Sequence, residues 1–192
     1  MNRQIYGLLA SVFEYPGPSV PGAVSRLIEL MPEDSAQPAT GLIAFQDELQ
    51  SEGLTGLQEW YIRTFDFRAD CSLYIGHHLF GETGRRGVFM AELIDRYRER
   101  QLPAAEDLPD HISCLLRYLA TLDPGEEASE LIHACLIPAI SRINAAKAIA
   151  ASPYRTVLEV LPGLLHQSGN DGLPSGELAW IPSSSSHFPI LP

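Results

Sequence analysis

With 192 residues, 45% of them apolar, and a formal charge of −11, the chain fits one globular domain with its own core and leaves little room for two. The negative charge, with the arginines gathered mostly between Arg85 and Arg100, excludes a nucleic-acid binder, which sets clustered cations against phosphate, and points to a basic partner. No apolar run approaches the roughly 20 residues of a membrane span, and the opening MNRQIYGLLASVF stops at Glu14 without a small-residue cleavage site, so a cytoplasmic protein with no stable membrane insertion is expected.

Ile5, Leu8, Leu9 and Val12 recur at helical spacing and predict a first helix over residues 4–13, ended by Tyr15-Pro16-Gly17-Pro18. Pro21 opens a second helix that turns Val24, Leu27, Ile28 and Met31 inward, and Pro32 with the polar run to Pro38 stops it. A third helix fits residues 39–51. Gly53 separates it from a helix through Trp60, Tyr61 and Phe65, for which Thr55 and Gln58 form a capping box. Residues 66–72 carry no helical pattern and predict a loop, followed by a short helical turn over 74–80 closed by Gly81.

Leu93, Ile94 and Tyr97 mark a long helix over 85–100, with Glu92 and Arg96 spaced for an i,i+4 ion pair. After a loop at 102–108, Ile112, Leu115, Leu116 and Leu119 form an apolar stripe, and Asp123-Pro124-Gly125 turns the chain into a helix from Glu126 that Pro138 should kink or break. Ile140, Ile143, Ala146 and Ala150 continue the helical spacing, and Ser152-Pro153 caps a last helix to Leu164 or Leu165. No strand is predicted, so the class is all-α, a single-domain helical bundle over residues 1–165. Residues 166–192 lack apolar periodicity and read as a mobile Pro/Ser-rich tail, with Trp180 and Ile181 docking transiently.

Cys71, Cys114 and Cys135 are odd in number and contain no CxxC pair, which fits neither a disulfide framework nor a zinc ribbon. Cys114 and Cys135 are expected in the core and Cys71 as an exposed loop thiol. Two segments concentrate the chemistry, YIRTFDFRADCSLYIGHHLFG at 61–81 and DLPDH at 107–111. Adjacent His77 and His78 diverge by about 100° on a helix, so one metal does not readily take both. A metal-dependent phosphohydrolase built on Asp66, His77 or His78, Asp110 and His111 matches the usual order and spacing poorly. The plainer expectation is that one histidine of the pair is buried against a backbone carbonyl and the other half exposed, with Asp110 in the first turn of the helix that Pro109 or Asp107 starts.

The chain has no nucleophile elbow, phosphate-binding loop or dinucleotide fingerprint, and no catalytic residue is assigned. What remains is a recognition groove. Tyr61, Phe65, Phe67, Tyr74 and Phe80 supply apolar area, at least half of them as core, while Asp66 and Asp110 supply charge for an amphipathic peptide carrying arginine or lysine. His78 and His111 near carboxylates would make binding depend on pH. The alternative is a helical interaction scaffold that uses the same aromatics to oligomerise.

The runs YIRTFDF, SLYIGHHLFGE with the following GRRG, and DLPDHI ahead of a leucine-rich helix resemble the NarJ-type chaperones, the delta subunits that assist assembly of respiratory nitrate reductase, within the TorD/DmsD group of redox-enzyme maturation proteins. The resemblance extends from the first helix to about Leu165. It implies an all-helical domain of the TorD/NarJ-like type that is not an enzyme, holds no cofactor or metal, and acts in the cytoplasm. Such a protein would bind the N-terminal segment of the molybdenum-containing catalytic (alpha) subunit until the cofactor is inserted, with molybdenum cofactor biosynthesis proteins as further candidate partners. In the wider group that segment is a twin-arginine signal peptide or its vestige. The group's proline-aspartate-histidine element maps onto Pro109, Asp110 and His111, its tyrosine-leaning helix onto Tyr61 through Asp66, and Tyr74, His77 and His78 join from the local match. The charged Arg68-Ala69-Asp70-Cys71 loop and the long tail depart from the pattern.

Overall fold

The apolar stripe of the first segment becomes, in a computed structural model of the protein, helix α1 (Arg3–Phe13), which buries Ile5, Leu9, Val12 and Phe13. The residues described are 3–31 and 36–166; residues 167–192, with Trp180 and Ile181, lie outside them. Helix α2 (Val20–Glu29) carries Pro21 in its first turn, where the missing N–H has no helical partner to lose, and buries Val24 and Leu27. Helix α3 (Ala36–Tyr61) is two arms joined at Gly53. With φ 67° and ψ −178°, Gly53 takes a conformation that side chains disfavour, so the predicted separation is a kink and not a loop.

The predicted capping box does not form. Gln58 Nε2 instead donates to the Pro16 carbonyl at 2.8 Å, tying α3 to the turn after α1. Beyond Tyr61 the helix continues as a widened π turn, Ile62–Asp66, and the predicted loop contains a 3₁₀ turn, Ala69–Cys71. That turn corrects the reading of Cys71, which is fully buried. Burial pushes its thiol up to about 11, far from a reactive thiolate at neutral pH. Helix α4 (Ile75–Phe80) ends at Gly81, and α5 (Gly84–Glu99) holds the predicted pair, Arg96 Nε donating to Glu92 Oε1 at 3.0 Å.

Helix α6 (Ile112–Leu119) is buried on nearly all sides. From Glu126 the chain runs through α7 (Glu126–Glu130), a second π turn (Leu131–Leu136) and α8 (Ile137–Ala145). The wide turn precedes Pro138, whose ring and missing N–H oppose regular helix there, so the proline shifts the register without breaking the chain's course. Past Ala145 a 3₁₀ turn (Lys147–Ala151) replaces the expected helical continuation. The predicted cap is present: Ser152 Oγ accepts from the Tyr154 N–H at 3.3 Å, starting α9 (Tyr154–His166).

Helix α1 packs on α2 and α6, α3 on α9, and α8 on both α4 and α9. Gly41 permits the close approach of α3 to α9, because a Cβ there would meet Val160 Cγ1 at 2.5 Å and the Thr156 carbonyl at 2.8 Å. Cys114 and Cys135 are buried as expected. No strand forms among the described residues, and the protein is an all-α, single-domain bundle. No helix among them is long and apolar enough to cross a membrane.

Candidate functional site

Two backbone hydrogen bonds bring the motif segments together. The Ile75 N–H donates to the Asp110 carbonyl at 2.7 Å and the Ile112 N–H to the Leu73 carbonyl at 2.8 Å, making an isolated antiparallel bridge between Tyr74 and His111. The Tyr74 and His111 rings consequently meet edge to face, 5.3 Å apart. The end of α3 closes the other side, where Tyr61 donates its hydroxyl to the Phe13 carbonyl at 3.1 Å and the π turn points Phe65 inward and leaves Asp66 exposed. The result is a cleft of about 190 Å³ lined by Tyr15, Tyr61, Phe65, Asp66, Leu73, Tyr74, Asp107 and His111.

The field in this cleft is negative. Burial and the charge of Asp107 both raise the Asp66 carboxyl above its ordinary range, and burial with Asp107, Asp110 and Asp66 raises the Tyr74 hydroxyl. A carboxyl whose ionisation is opposed by a nearby carboxylate favours an added cation beside it. One of the exposed large apolar side chains, Tyr15, lines the cleft, and two others, Phe67 and Leu108, are the sequence neighbours of Asp66 and Asp107.

The remaining residues singled out from the sequence support the walls. Asp110 does not open α6, which begins at Ile112 with His111 as its cap, the imidazole Nδ1 accepting from the Ser113 N–H at 3.4 Å. The Asp110 carboxylate is instead fully buried and takes Arg86 Nε at 2.7 Å and Nη2 at 3.4 Å. Arg86 also reaches Glu82 at 2.9 Å, and Glu82 meets His77 Nδ1 at 2.9 Å. The Pro109 carbonyl accepts from the Tyr97 hydroxyl at 2.8 Å, so the Pro109–His111 element is held from three helices.

His77 and His78 divide as expected, His78 buried with Nε2 2.7 Å from the Ser72 carbonyl and His77 half-buried. Phe80 packs against Phe89 with Arg85 over its ring, outside the cleft, and Phe67 is 81% exposed. Of the carboxylates and imidazoles named for a metal site, Asp110, His77, His78 and His111 are engaged elsewhere while Asp66 lines the cleft, and among the described residues no three His, Cys, Asp or Glu side chains are grouped to hold an ion. The structure adds Tyr15, Leu73 and Asp107. Asp107 lies inside the DLPDH run and was legible there as a carboxylate; Tyr15 had no local signal beyond its turn.

Both buried histidines have lowered pKa values. Burial dominates for His78 and His111, and for His111 it outweighs the attraction of Asp107, Asp110 and Glu14. A native histidine that resists protonation binds fewer protons than the unfolded chain below about pH 6.5, so stability is full above that value and falls as pH drops through it. Thermal melts from pH 7.5 to 5.5 should show a declining midpoint, and the decline should be shallower in His78→Gln. An equal slope in both proteins would show that His78 does not contribute.

The fold and cleft define an all-helical protein with an acidic, aromatic-lined cleft. The chain belongs to the nitrate reductase delta subunit family, whose sequence profile matches residues 29–146, a span that holds every cleft residue except Tyr15. It is 27% identical over 158 residues to the nitrate reductase molybdenum cofactor assembly chaperone NarJ of Escherichia coli (strain K12), covering 80% of this chain and 66% of that protein. It is 25% identical over 171 residues to the probable chaperone of the same name in Bacillus subtilis (strain 168), covering 88% and 92%. Against the nitrate reductase-like protein NarX of Mycobacterium tuberculosis (strain ATCC 25618 / H37Rv) the identity is 33% over 95 residues, 49% of this chain and only 14% of that longer protein.

Proposed function

We propose that the protein is a non-enzymatic assembly chaperone for a nitrate reductase. It acts in the cytoplasm, binding the N-terminal segment of the catalytic subunit while the molybdenum cofactor is inserted. Residues 1–165 form the chaperone domain. The observation that carries the reading is the cleft itself, where Asp66 and Asp107 face a common space rimmed by Tyr15, Tyr61 and Tyr74. Such a site suits a helical peptide whose apolar face buries against the rings while an arginine or lysine meets the carboxylates. Asp110 acts within the wall, its charge already met by Arg86, and Asp107 takes the ligand-facing role first expected of it. The chain's net charge of −11 speeds encounter with a basic segment.

Calorimetry with a synthetic peptide of the first 20 or so residues of the catalytic subunit encoded in the same genome tests this. Binding is expected, with Asp66→Asn weakening it roughly tenfold through the lost charge-assisted contact and added salt weakening the wild type more than the variant. Absence of measurable heat with the wild-type protein at high peptide concentration would refute the assignment.

A further inference from the structure

A second and larger cavity, about 400 Å³, opens between α5, the 101–109 loop and α6. Its walls are mostly apolar, among them Ile94, Tyr97, Leu102, Pro103 and Cys114. That volume belongs to sites that enclose a ligand, well beyond the gaps left by ordinary packing. Apart from the Asp107 carboxylate, which lies 3.7 Å from His111 Nδ1, the polar side chains around it are already engaged: the Tyr97 hydroxyl donates to the Pro109 carbonyl, Arg98 to Asp95 at 3.0 Å, and Arg117 to Glu14 at 2.9 Å. The Cys114 thiol is buried and behaves as a small apolar group.

The cavity is not independent of the acidic cleft, because Asp107 lines both. The 101–109 loop therefore contributes to the wall between them at Asp107. It is anchored at its start by the Leu102 N–H on the Tyr97 carbonyl at 3.0 Å, and at its end by the Tyr97 hydroxyl on Pro109.

We propose that cleft and cavity are two halves of one ligand site. A cation of the bound peptide lies between Asp66 and Asp107, and a large apolar side chain three or four residues along the same peptide helix enters the Tyr97–Cys114 cavity. This rests on the peptide-binding reading above and extends it by naming where the apolar face goes. Charge selects the occupant: a purely apolar ligand has no use for the carboxylate at the shared wall, whereas a basic amphipathic helix meets both halves at once. Helix residues three or four apart lie about 5–6 Å from each other on one face, so two such neighbours can reach to either side of the shared Asp107.

Ala104 and Ala105 sit on the exposed loop and line the cavity, so Ala105→Trp and Ala104→Trp fill it without cutting into the core. The probes are the fluorescently labelled N-terminal peptide of the catalytic subunit and the same peptide with its large apolar residues changed to alanine. Anisotropy titration of the native peptide should show roughly tenfold or greater weakening in a tryptophan variant, from lost apolar burial. The alanine peptide should bind wild type and variant alike. Two results overturn the composite site while the cleft reading stands: folded tryptophan variants that bind the native peptide as wild type does while Asp66→Asn weakens it, or an alanine peptide that binds the wild type as tightly as the native one. Failure of the native peptide to bind the wild type overturns both readings.

Discussion

Asp110→Ala is expected to lower unfolding free energy by about 3–5 kcal/mol, because it leaves the Arg86 guanidinium without its partner in a buried setting. Asp110 is fully buried, and the Arg86 side chain is only 12% exposed. The carboxylate has no solvent to replace Arg86, and the cation is left with exposed Glu82 and the face of the Tyr74 ring, 5.6 Å away. In a chain of this size the midpoint of thermal unfolding should fall by roughly 6–20 °C. The double variant Asp110→Leu with Arg86→Met should recover most of that loss, since two apolar groups of similar volume carry no desolvation penalty. A midpoint for Asp110→Ala within about 2 °C of wild type would show that the pair is not holding the bridge.

The same pair explains a glycine. A Cβ on Gly76 would stand 2.6 Å from Asp110 Oδ2 and 3.1 Å from the Phe89 ring, with Arg86 Cγ at 3.3 Å. Gly76→Ala must therefore displace either the ion pair or the ring, at a cost of about 1–3 kcal/mol. Loss of peptide binding in an Asp110 variant thus reports a collapsed wall, and it becomes evidence about ligand contact only when Asp66 and Asp107 variants, whose side chains face the cleft, show the loss with unchanged melting.

Helix positions were legible in the sequence because the apolar residues that repeat every three or four positions are the ones buried, from Leu9 in α1 to Leu161 in α9. Local chemistry also read correctly where it depended on neighbours: the fate of His77 and His78 follows from their 100° divergence on one short helix. What stayed hidden was set by distant partners. Nothing near Asp110 announces Arg86, 24 residues upstream, so capping was the natural reading of an aspartate before a helix. The Tyr74–His111 bridge joins segments 37 positions apart by sequence number, and the placement of Tyr15 beside Tyr61, rings 5.7 Å apart, depends on α1 packing across the end of α3. Cys71 was misplaced for another reason: a three-residue 3₁₀ turn is too short to leave any periodic signal.

Phe65 and Phe67, two residues apart, should separate stability from binding. Phe65 is 4% exposed, its ring 5.1 Å from Tyr61 and 5.0 Å from Tyr154, and Tyr154 in turn lies 5.2 Å from Phe45. Removing it opens a void in an aromatic cluster that joins α3 to α9, where alanine replacements of phenylalanine typically cost about 3–5 kcal/mol. Phe67, beyond the π turn and 81% exposed, has almost no burial to lose, and Phe67→Ala should change stability by less than about 0.5 kcal/mol. Phe67 directly follows Asp66, which lines the cleft, so if its exposed ring joins the peptide's apolar contact the same change should weaken the catalytic-subunit peptide several-fold. Paired denaturant melts and peptide titrations on the two variants decide the point. A Phe67→Ala protein that binds with wild-type affinity would remove this side chain from the rim, and a Phe65→Ala protein of wild-type stability would contradict the aromatic packing that shapes the cleft's floor.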